Sequence, residues 1–160
     1  MSLKHRIFLA ILILGAYSQV VQAVLIREGL VVFYGNEVSL GAFYGSWLFW
    51  LAAGSMAVLR SRERQWVRDA LSTIRRWLLL LPLLLILQVI ALRSVRLFLD
   101  VSSSEFVPLG ELFLSLFLLT IPSSLVLGVA FPLACKALAD SAGGANTRAA
   151  VGIVLSLIHI

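Results

Sequence analysis

Residues 112–135 read LFLSLFLLTIPSSLVLGVAFPLAC, a run of 24 residues without a charged side chain. An α-helix needs about 20 mostly apolar residues to cross the ~30 Å hydrocarbon core of a bilayer. The prolines in this run do not exclude a helix, because neighbouring helices and Ser or Thr side chains can satisfy the freed backbone groups of a membrane helix. The run therefore predicts a transmembrane helix.

The composition of the whole chain agrees with that prediction. Hydrophobic residues make up 61% of the 160 residues and charged residues 13%, against roughly 45–50% and ~25% in soluble domains. Disorder is excluded by the apolar content, and a chain this short cannot bury so much apolar surface in one water-soluble core. The net charge of +5 comes from short basic clusters between apolar runs, which indicates a lipid bilayer as partner and not a nucleic acid.

Further uncharged runs extend the fold to a bundle. We predict an all-α fold, a polytopic transmembrane helical bundle with four helices plus the start of a fifth, as one transmembrane region over residues 1–160. The predicted helices span about 7–33, 38–59, 77–97, 107–137 and, incompletely, 149–160. We expect prolines inside these helices to kink them, at Pro82, Pro122 and Pro132. Residues 60–76 (RSRERQWVRDALSTIRR) predict a cationic cytoplasmic loop, either solvated or lying as a short helix on anionic lipid.

The two ends of the chain carry their own expectations. The last apolar run, 149–160, has 12 residues and spans only ~18 Å as a helix, so we expect the chain to be an N-terminal fragment. Residues 156–160 resemble translated adaptor sequence and are not expected to be native. Near the start, the basic residues before the first apolar run also fit a signal peptide cleaved after Ala23, an alternative that leaves the rest of the topology unchanged.

Charge asymmetry predicts the orientation. With the N-terminus in the cytoplasm, ten of the thirteen basic residues fall on the cytoplasmic side, as the positive-inside rule requires. Those ten are Lys4, Arg6, Arg60, Arg62, Arg64, Arg68, Arg75, Arg76, Lys136 and Arg148. We therefore expect a multi-pass protein of the bacterial inner membrane with a cytoplasmic N-terminus.

Polar residues in or near the first two spans form a candidate intramembrane site, because polar groups at that depth are costly and are often functional. The candidates are Gln19, Gln22, Arg27, Glu28, Asn36 and Glu37. Two interpretations stay open: hydrogen bonds and an Arg27–Glu37 ion pair that join helices, or a cavity where an acid meets a cationic ligand. Gly35 and Asn36 both tolerate positive φ and are expected to make the turn between the spans.

Small residues in the second span indicate helix packing. Gly41 and Gly45 have the four-residue spacing that lets helices approach closely, and Gly54 is a further candidate for such packing. Motifs for chemistry are lacking: the sequence has no Walker loop, GxGxxG, metal cluster or Ser/His/Asp arrangement. Neither a catalytic residue nor a cofactor is expected within these residues, and Cys135 is expected to be a packing residue.

The order of three segments resembles the N-terminal membrane region of membrane-bound spermidine-synthase-like proteins. The segments are 19–28 (QVVQAVLIRE), 34–37 (YGNE) and 47–55 (WLFWLAAGS), and residues 128–133 (GVAFPL) are similar to a later motif of that family. In this family several membrane helices precede a Rossmann-like aminopropyltransferase-type domain that binds a decarboxylated S-adenosylmethionine-type donor.

The resemblance implies a membrane part that anchors a cytoplasmic aminopropyltransferase-type domain, which is missing from these residues. The resemblance thus implies a polyamine aminopropyltransferase activity for the full-length parent and does not by itself make these residues an enzyme. Two alternatives stay open: a fragment of a transporter for polyamines or other small cations, and a non-catalytic membrane scaffold. The oligomeric state does not follow from the sequence.

Overall fold

The chain forms four α-helices and no strand within the residues that the computed structural model describes. Those residues are 3–35, 37–60, 70–99, 107–141 and 152, with side chains placed in 8–35, 37–60, 80–99, 107–138 and 152. The helices are α1 (Leu3–Val32), α2 (Glu37–Arg60), α3 (Ala70–Phe98) and α4 (Leu109–Ser141). The predicted all-α class is confirmed, while the start of a fifth helix at 149–160 lies outside the described residues apart from Gly152.

Each of the four helices is long and apolar enough to cross a membrane. The apolar segments cover Phe8–Val32, Glu37–Arg60, Leu80–Phe98 and Leu109–Leu138. Large apolar side chains stay on the outside of the bundle, among them Leu59, Leu97 and Phe98, which are 78%, 84% and 85% exposed. Such a surface would be a liability in water but matches hydrocarbon, so the chain has the properties of a membrane protein.

The helices pack around a common apolar core, with α2 and α4 in the most extensive contact. Leu25, Phe43, Leu92 and Leu116 represent the four helices in this core, and each is buried. The contact between α1 and α2 is the smallest of the helix contacts, although these two helices follow one another in the chain.

A tight turn joins α1 to α2. The helix continues through the apolar residues after Glu28 and ends at Val32, where the Gly35 N–H donates to the Leu30 carbonyl oxygen at 2.8 Å. That bond is typical of a Schellman ending, which places the preceding residue in the left-handed region. Tyr34 and Gly35 have φ of 59° and 66°. Gly35 therefore adopts positive φ as predicted, and Tyr34 is the other described residue with positive φ. Asn36, for which positive φ was also expected, lies outside the described residues.

Each of the four helices extends beyond its predicted bounds at one end or both, and the largest extension is at the start of α3. α3 begins at Ala70, inside the predicted loop 60–76, because Ala, Leu and Arg at 70–76 are good helix formers although they are not a hydrophobic run. α3 runs on through Pro82, and α4 through Pro122 and Pro132. The three prolines thus lie inside helices as predicted, and the kinks expected at them stay predictions.

Candidate functional site

The candidate polar residues do not come together in one site. Gln19 and Gln22 line a groove between the helices, whereas the Glu28 side chain pairs with α3. Arg27 and Glu37 are exposed, and the hypothesised ion pair between them is not formed among the described residues. Glu37 instead lies in the first turn of α2, where the helix dipole favours an acid.

Glu28 and Arg93 form a bidentate ion pair between α1 and α3. Arg93 Nε donates to one carboxylate oxygen at 2.7 Å, and a terminal guanidinium nitrogen donates to the other at 3.0 Å. Planar two-bond pairing of this kind is the strongest carboxylate–guanidinium geometry. One helical turn further on, Arg96 donates to the Val32 carbonyl oxygen at 3.1 Å and lies 4.5 Å above the Tyr34 ring. Arg93 and Arg96 together fix the end of α1 to the end of α3.

The groove lies between α1, α2 and α4 and has a volume of about 410 Å³. Small-molecule sites have volumes of roughly 300–1,000 Å³ and are mostly apolar with a few polar groups. Carboxamides, hydroxyls and aromatic rings mix with leucines in its lining, and none of the described lining residues is charged. The lining residues are Leu14, Ser18, Gln19, Gln22, Tyr44, Trp47, Leu48, Leu51, Ser55, Leu127 and Phe131.

Trp47 is the most buried of the large side chains that line this groove. It is 1% exposed and stacks on Phe43, with ring centroids 5.7 Å apart and planes at 23°. Its indole N–H has no hydrogen-bond partner among the described residues. A buried, unpaired donor of this type costs about 1–3 kcal/mol.

A second polar cluster lies in the core and was not among the sequence candidates. Gln88 of α3, 4% exposed, donates to the Leu119 carbonyl oxygen of α4 at 2.6 Å and accepts a hydrogen bond from the Ser123 hydroxyl. From the α1 side, the Tyr17 hydroxyl donates to the Leu81 carbonyl oxygen. The sequence signal that could have predicted this cluster is Gln88 itself, the single Gln inside the apolar run 77–92, because an amide at that depth needs hydrogen-bond partners on other helices.

The cluster lies around Pro122, one of the two prolines inside α4, which like every proline lacks a backbone N–H donor. Carbonyl groups just before Pro122 receive side-chain donors from three directions. Trp50 of α2 donates its indole N–H to Phe117 at 2.9 Å, Gln88 donates to Leu119, and Ser124 donates to Thr120 within α4. Trp50 and Gln88 thus join α2 and α3 to the α4 carbonyls on either side of Leu118, whose usual backbone donor is absent because residue 122 is proline.

The closest approach of two helices is at Gly54 and Gly128. A Cβ at Gly54 would lie 2.6 Å from the Leu125 carbonyl oxygen, and one at Gly128 would lie 2.3 Å from that of Leu51. Ser55 completes the crossing by donating to the Gly128 carbonyl oxygen at 2.9 Å. Gly54 thus lies where α2 and α4 meet.

Gly41 and Gly45 do not take part in this crossing. A Cβ at either position would meet nothing within 4 Å, because both face away from α4 on the exposed side of α2. The helix contact expected from their spacing is therefore not made within the described part of the chain.

Chemistry-bearing groups are sparse in the described residues. They contain no group of three or more His, Cys, Asp or Glu residues able to hold a metal ion, and Cys135 is a buried free thiol. No protein family, no curated protein and no solved structure matches this chain in the comparisons made.

Proposed function

We propose that this chain is a membrane-embedded anchoring unit, whose interior polar groups hold its helices together. One observation carries the proposal: Glu28, the acid best placed to meet a cationic ligand inside the membrane, is engaged at both oxygens by Arg93. Glu37 and Glu111 lie in the first turns of α2 and α4, where the helix dipole favours them. The three acidic residues whose side chains the structure describes thus have structural roles.

The resemblance to spermidine-synthase-like proteins supports a specific identity for the domain that the helices anchor. The anchored part is then an aminopropyltransferase-type domain in the cytoplasm of a bacterium, and polyamines are its substrates and not those of the helices. The ten basic residues on one side support an inner-membrane location with a cytoplasmic N-terminus.

Transport of a polyamine or another small cation is the second candidate, and the groove is the observation in its favour. The exposed Tyr44 lines it, and aromatic faces attract cations. A polyamine carries several charges, however, and no described acid lines the groove. Cations inside a membrane normally require acidic or carbonyl partners, so anchoring is favoured over transport.

Uptake of radiolabelled spermidine into liposomes that contain the full chain separates the two candidates. Anchoring predicts uptake equal to that of protein-free liposomes. Uptake above this level that falls in Gln19→Leu/Gln22→Leu, and not in the neighbouring control Val20→Leu, would replace anchoring by transport.

The anchoring role itself is tested with a fluorescent protein fused after Ile160 and expressed in a bacterium. We expect the fusion to stay in the membrane fraction after an alkaline carbonate wash, which removes peripheral proteins. Release of the fluorescent protein by this wash would contradict the proposal, and the same fluorescent protein without the chain is the soluble control.

A further inference from the structure

We propose that Arg27 of α1 and Arg93 of α3 bind the phosphate of an anionic phospholipid on the lipid-facing side of the bundle. The proposal goes beyond anchoring, for which apolar helices are sufficient. Both guanidinium groups lie on the surface: Arg27 is exposed, and the Arg93 side chain is 65% exposed. An uncompensated charge is costly beside hydrocarbon, so two arginines on this surface require an anionic partner.

Arg27 and Arg93 lie at the same depth in the bundle. Each is five residues before the end of its helix, which is at Val32 or Phe98, and this distance is ~7.5 Å along the helix axis. The ion pair between Arg93 and Glu28 holds these two positions side by side. An Arg side chain this close to a helix end can extend to the polar boundary of the membrane, where the lipid headgroups lie.

Both arginines have hydrogen-bond donors to spare. A guanidinium has five N–H donors; Arg93 uses two of them on Glu28, and the others have no partner among the described residues. Arg27 makes no hydrogen bond or ion pair in the described part of the chain, although its charge acts on the adjacent Glu28 carboxylate. Phosphate oxygens are acceptors whose geometry matches a guanidinium.

The charge at this place favours one phosphate. Two arginines and one glutamate, Glu28, leave a net charge of one positive unit, which a single phosphodiester neutralises. The other acids described near this end of the bundle, Glu37 and Glu111, lie at the starts of α2 and α4. Acidic charge is therefore on the other pair of helices, and the contact between α1 and α3 is where an anion is favoured.

The surface below the two arginines favours a lipid over a free phosphate ion. Val20 and Ile86 are each seven residues before an arginine, Arg27 or Arg93, which is two helical turns on the same side of the helix. These apolar side chains are 54% and 56% exposed. A phosphate at the arginines would thus continue into acyl chains along an apolar surface.

The test uses the full chain in dodecylmaltoside micelles and phosphatidylglycerol as the probe, with bound lipid counted by native mass spectrometry. We expect the first phosphatidylglycerol to bind more tightly than the first phosphatidylethanolamine, whose amine cancels the phosphate charge. Arg27→Gln should weaken this affinity about fivefold, the effect of one basic residue near an anionic membrane surface. Glu28→Gln should strengthen it, because the competing carboxylate is removed and the Arg93 donors are released.

Arg60→Gln is the matched control, because Arg60 is an exposed arginine at the end of α2, on the opposite face of the bundle. This variant should bind the first phosphatidylglycerol like the original chain. Equal losses in Arg27→Gln and Arg60→Gln, or equal affinity for the two lipids, would mean general attraction to the micelle surface and would overturn the proposal. Dimers that bind no phosphatidylglycerol and dissociate in Glu37→Gln would overturn it in favour of a second copy at Arg27.

Discussion

Gln88 shows at the scale of one residue how a polar side chain can join membrane helices. Its carboxamide both donates to the Leu119 carbonyl oxygen and accepts from Ser123. We predict that Gln88→Leu lowers the free energy of unfolding by ~0.6–1.7 kcal/mol, the range found for interhelical hydrogen bonds in membranes. The measurement is the folded fraction against the mole fraction of SDS in mixed micelles.

Ser94→Ala is the control for this prediction on the same helix. The Ser94 hydroxyl donates only to the Ile90 carbonyl oxygen of its own helix, so its loss should leave the unfolding curve almost unchanged. If Gln88→Leu were as stable as Ser94→Ala, the polar cluster would not hold α3 to α4.

The ion pair between Glu28 and Arg93 leads to a second prediction at this scale. Glu28→Gln or Arg93→Gln should each lower the melting temperature in mild detergent by a few degrees, because one charge of a bidentate pair is left without its partner. The single reversals Glu28→Arg and Arg93→Glu should each lower the melting temperature as well, and combining them should recover more than half of that loss, because the ion pair is then restored with its charges exchanged. A double variant as unstable as either single reversal would show that the two side chains do not interact.

Sequence reasoning identified Glu28 as a residue of interest but did not identify its partner. The hypothesis paired acids and bases that are near each other in the sequence, Arg27 with Glu37, whereas Glu28 pairs with a residue 65 positions away. Gln88 was missed for a related reason: its partners are the Leu119 carbonyl and Ser123 on another helix. Local patterns identify polar groups that need a partner, and only the packing of helices decides which partner they obtain.

At the scale of helices, the crossing of α2 and α4 depends on two glycines. Because any Cβ there would collide with backbone of the other helix, we predict that Gly54→Ala and Gly128→Ala each destabilise the chain by ~1–3 kcal/mol, as overpacking does. Unfolding in SDS mixed micelles measures the effect.

Gly41→Ala and Gly45→Ala are the matched controls, since both glycines are on the same helix as Gly54 with nothing near an added Cβ. Alanine is better than glycine inside a helix by ~1 kcal/mol, so these variants should be as stable as the original chain or more stable. Gly54→Ala and Gly128→Ala variants as stable as these controls would show that helix propensity, and not the crossing, determines the effect of the substitutions.

Hydropathy was sufficient to predict the helices but not their contacts. Four runs of suitable length gave four helices, because a bilayer leaves few alternatives to a helix for such segments. The cationic segment 60–76 predicts a solvated loop or a short surface helix, whereas α3 already begins at Ala70, because hydropathy does not detect the charged part of a helix that continues into an apolar run. The spacing of Gly41 and Gly45 matched a packing motif, but Gly54 and Gly128 make the close contact, because the motif does not say which face of a helix meets another.

At the scale of the whole molecule, the contacts determine which helices run in the same direction. Three links join α1 to α3 at nearly constant offsets of 64 or 65 residues: Tyr17 to Leu81, Glu28 to Arg93 and Val32 to Arg96. A constant offset means that the two helices are parallel. The order of contacts from Trp50–Phe117 to Ser55–Gly128 makes α2 and α4 parallel as well.

Because a tight turn reverses the chain between α1 and α2, the odd and even helices run in opposite directions. The start of α1 and the end of α2 therefore lie on one face of the bundle, with the 33–36 turn and the end of α3 on the other. We predict that the face where α2 ends is cytoplasmic. Arg60 ends α2 and Arg62, Arg64 and Arg68 follow it in the sequence, whereas the opposite face has few basic residues, and the positive-inside rule favours the basic face as cytoplasmic.

Alkaline phosphatase folds only outside the cytoplasm. We therefore predict that this enzyme is inactive in bacterial cells when fused after Arg68, on the predicted cytoplasmic side, and active when fused after Ser103, on the opposite side. A fluorescent protein at the two positions should give the opposite result. Exchanging Arg60, Arg62 and Arg64 for Gln should raise phosphatase activity after Arg68, since the charge bias is then weaker. Phosphatase activity after Arg68 in the unaltered chain would invert the proposed orientation and place any anchored domain that follows α4 on a different side of the membrane.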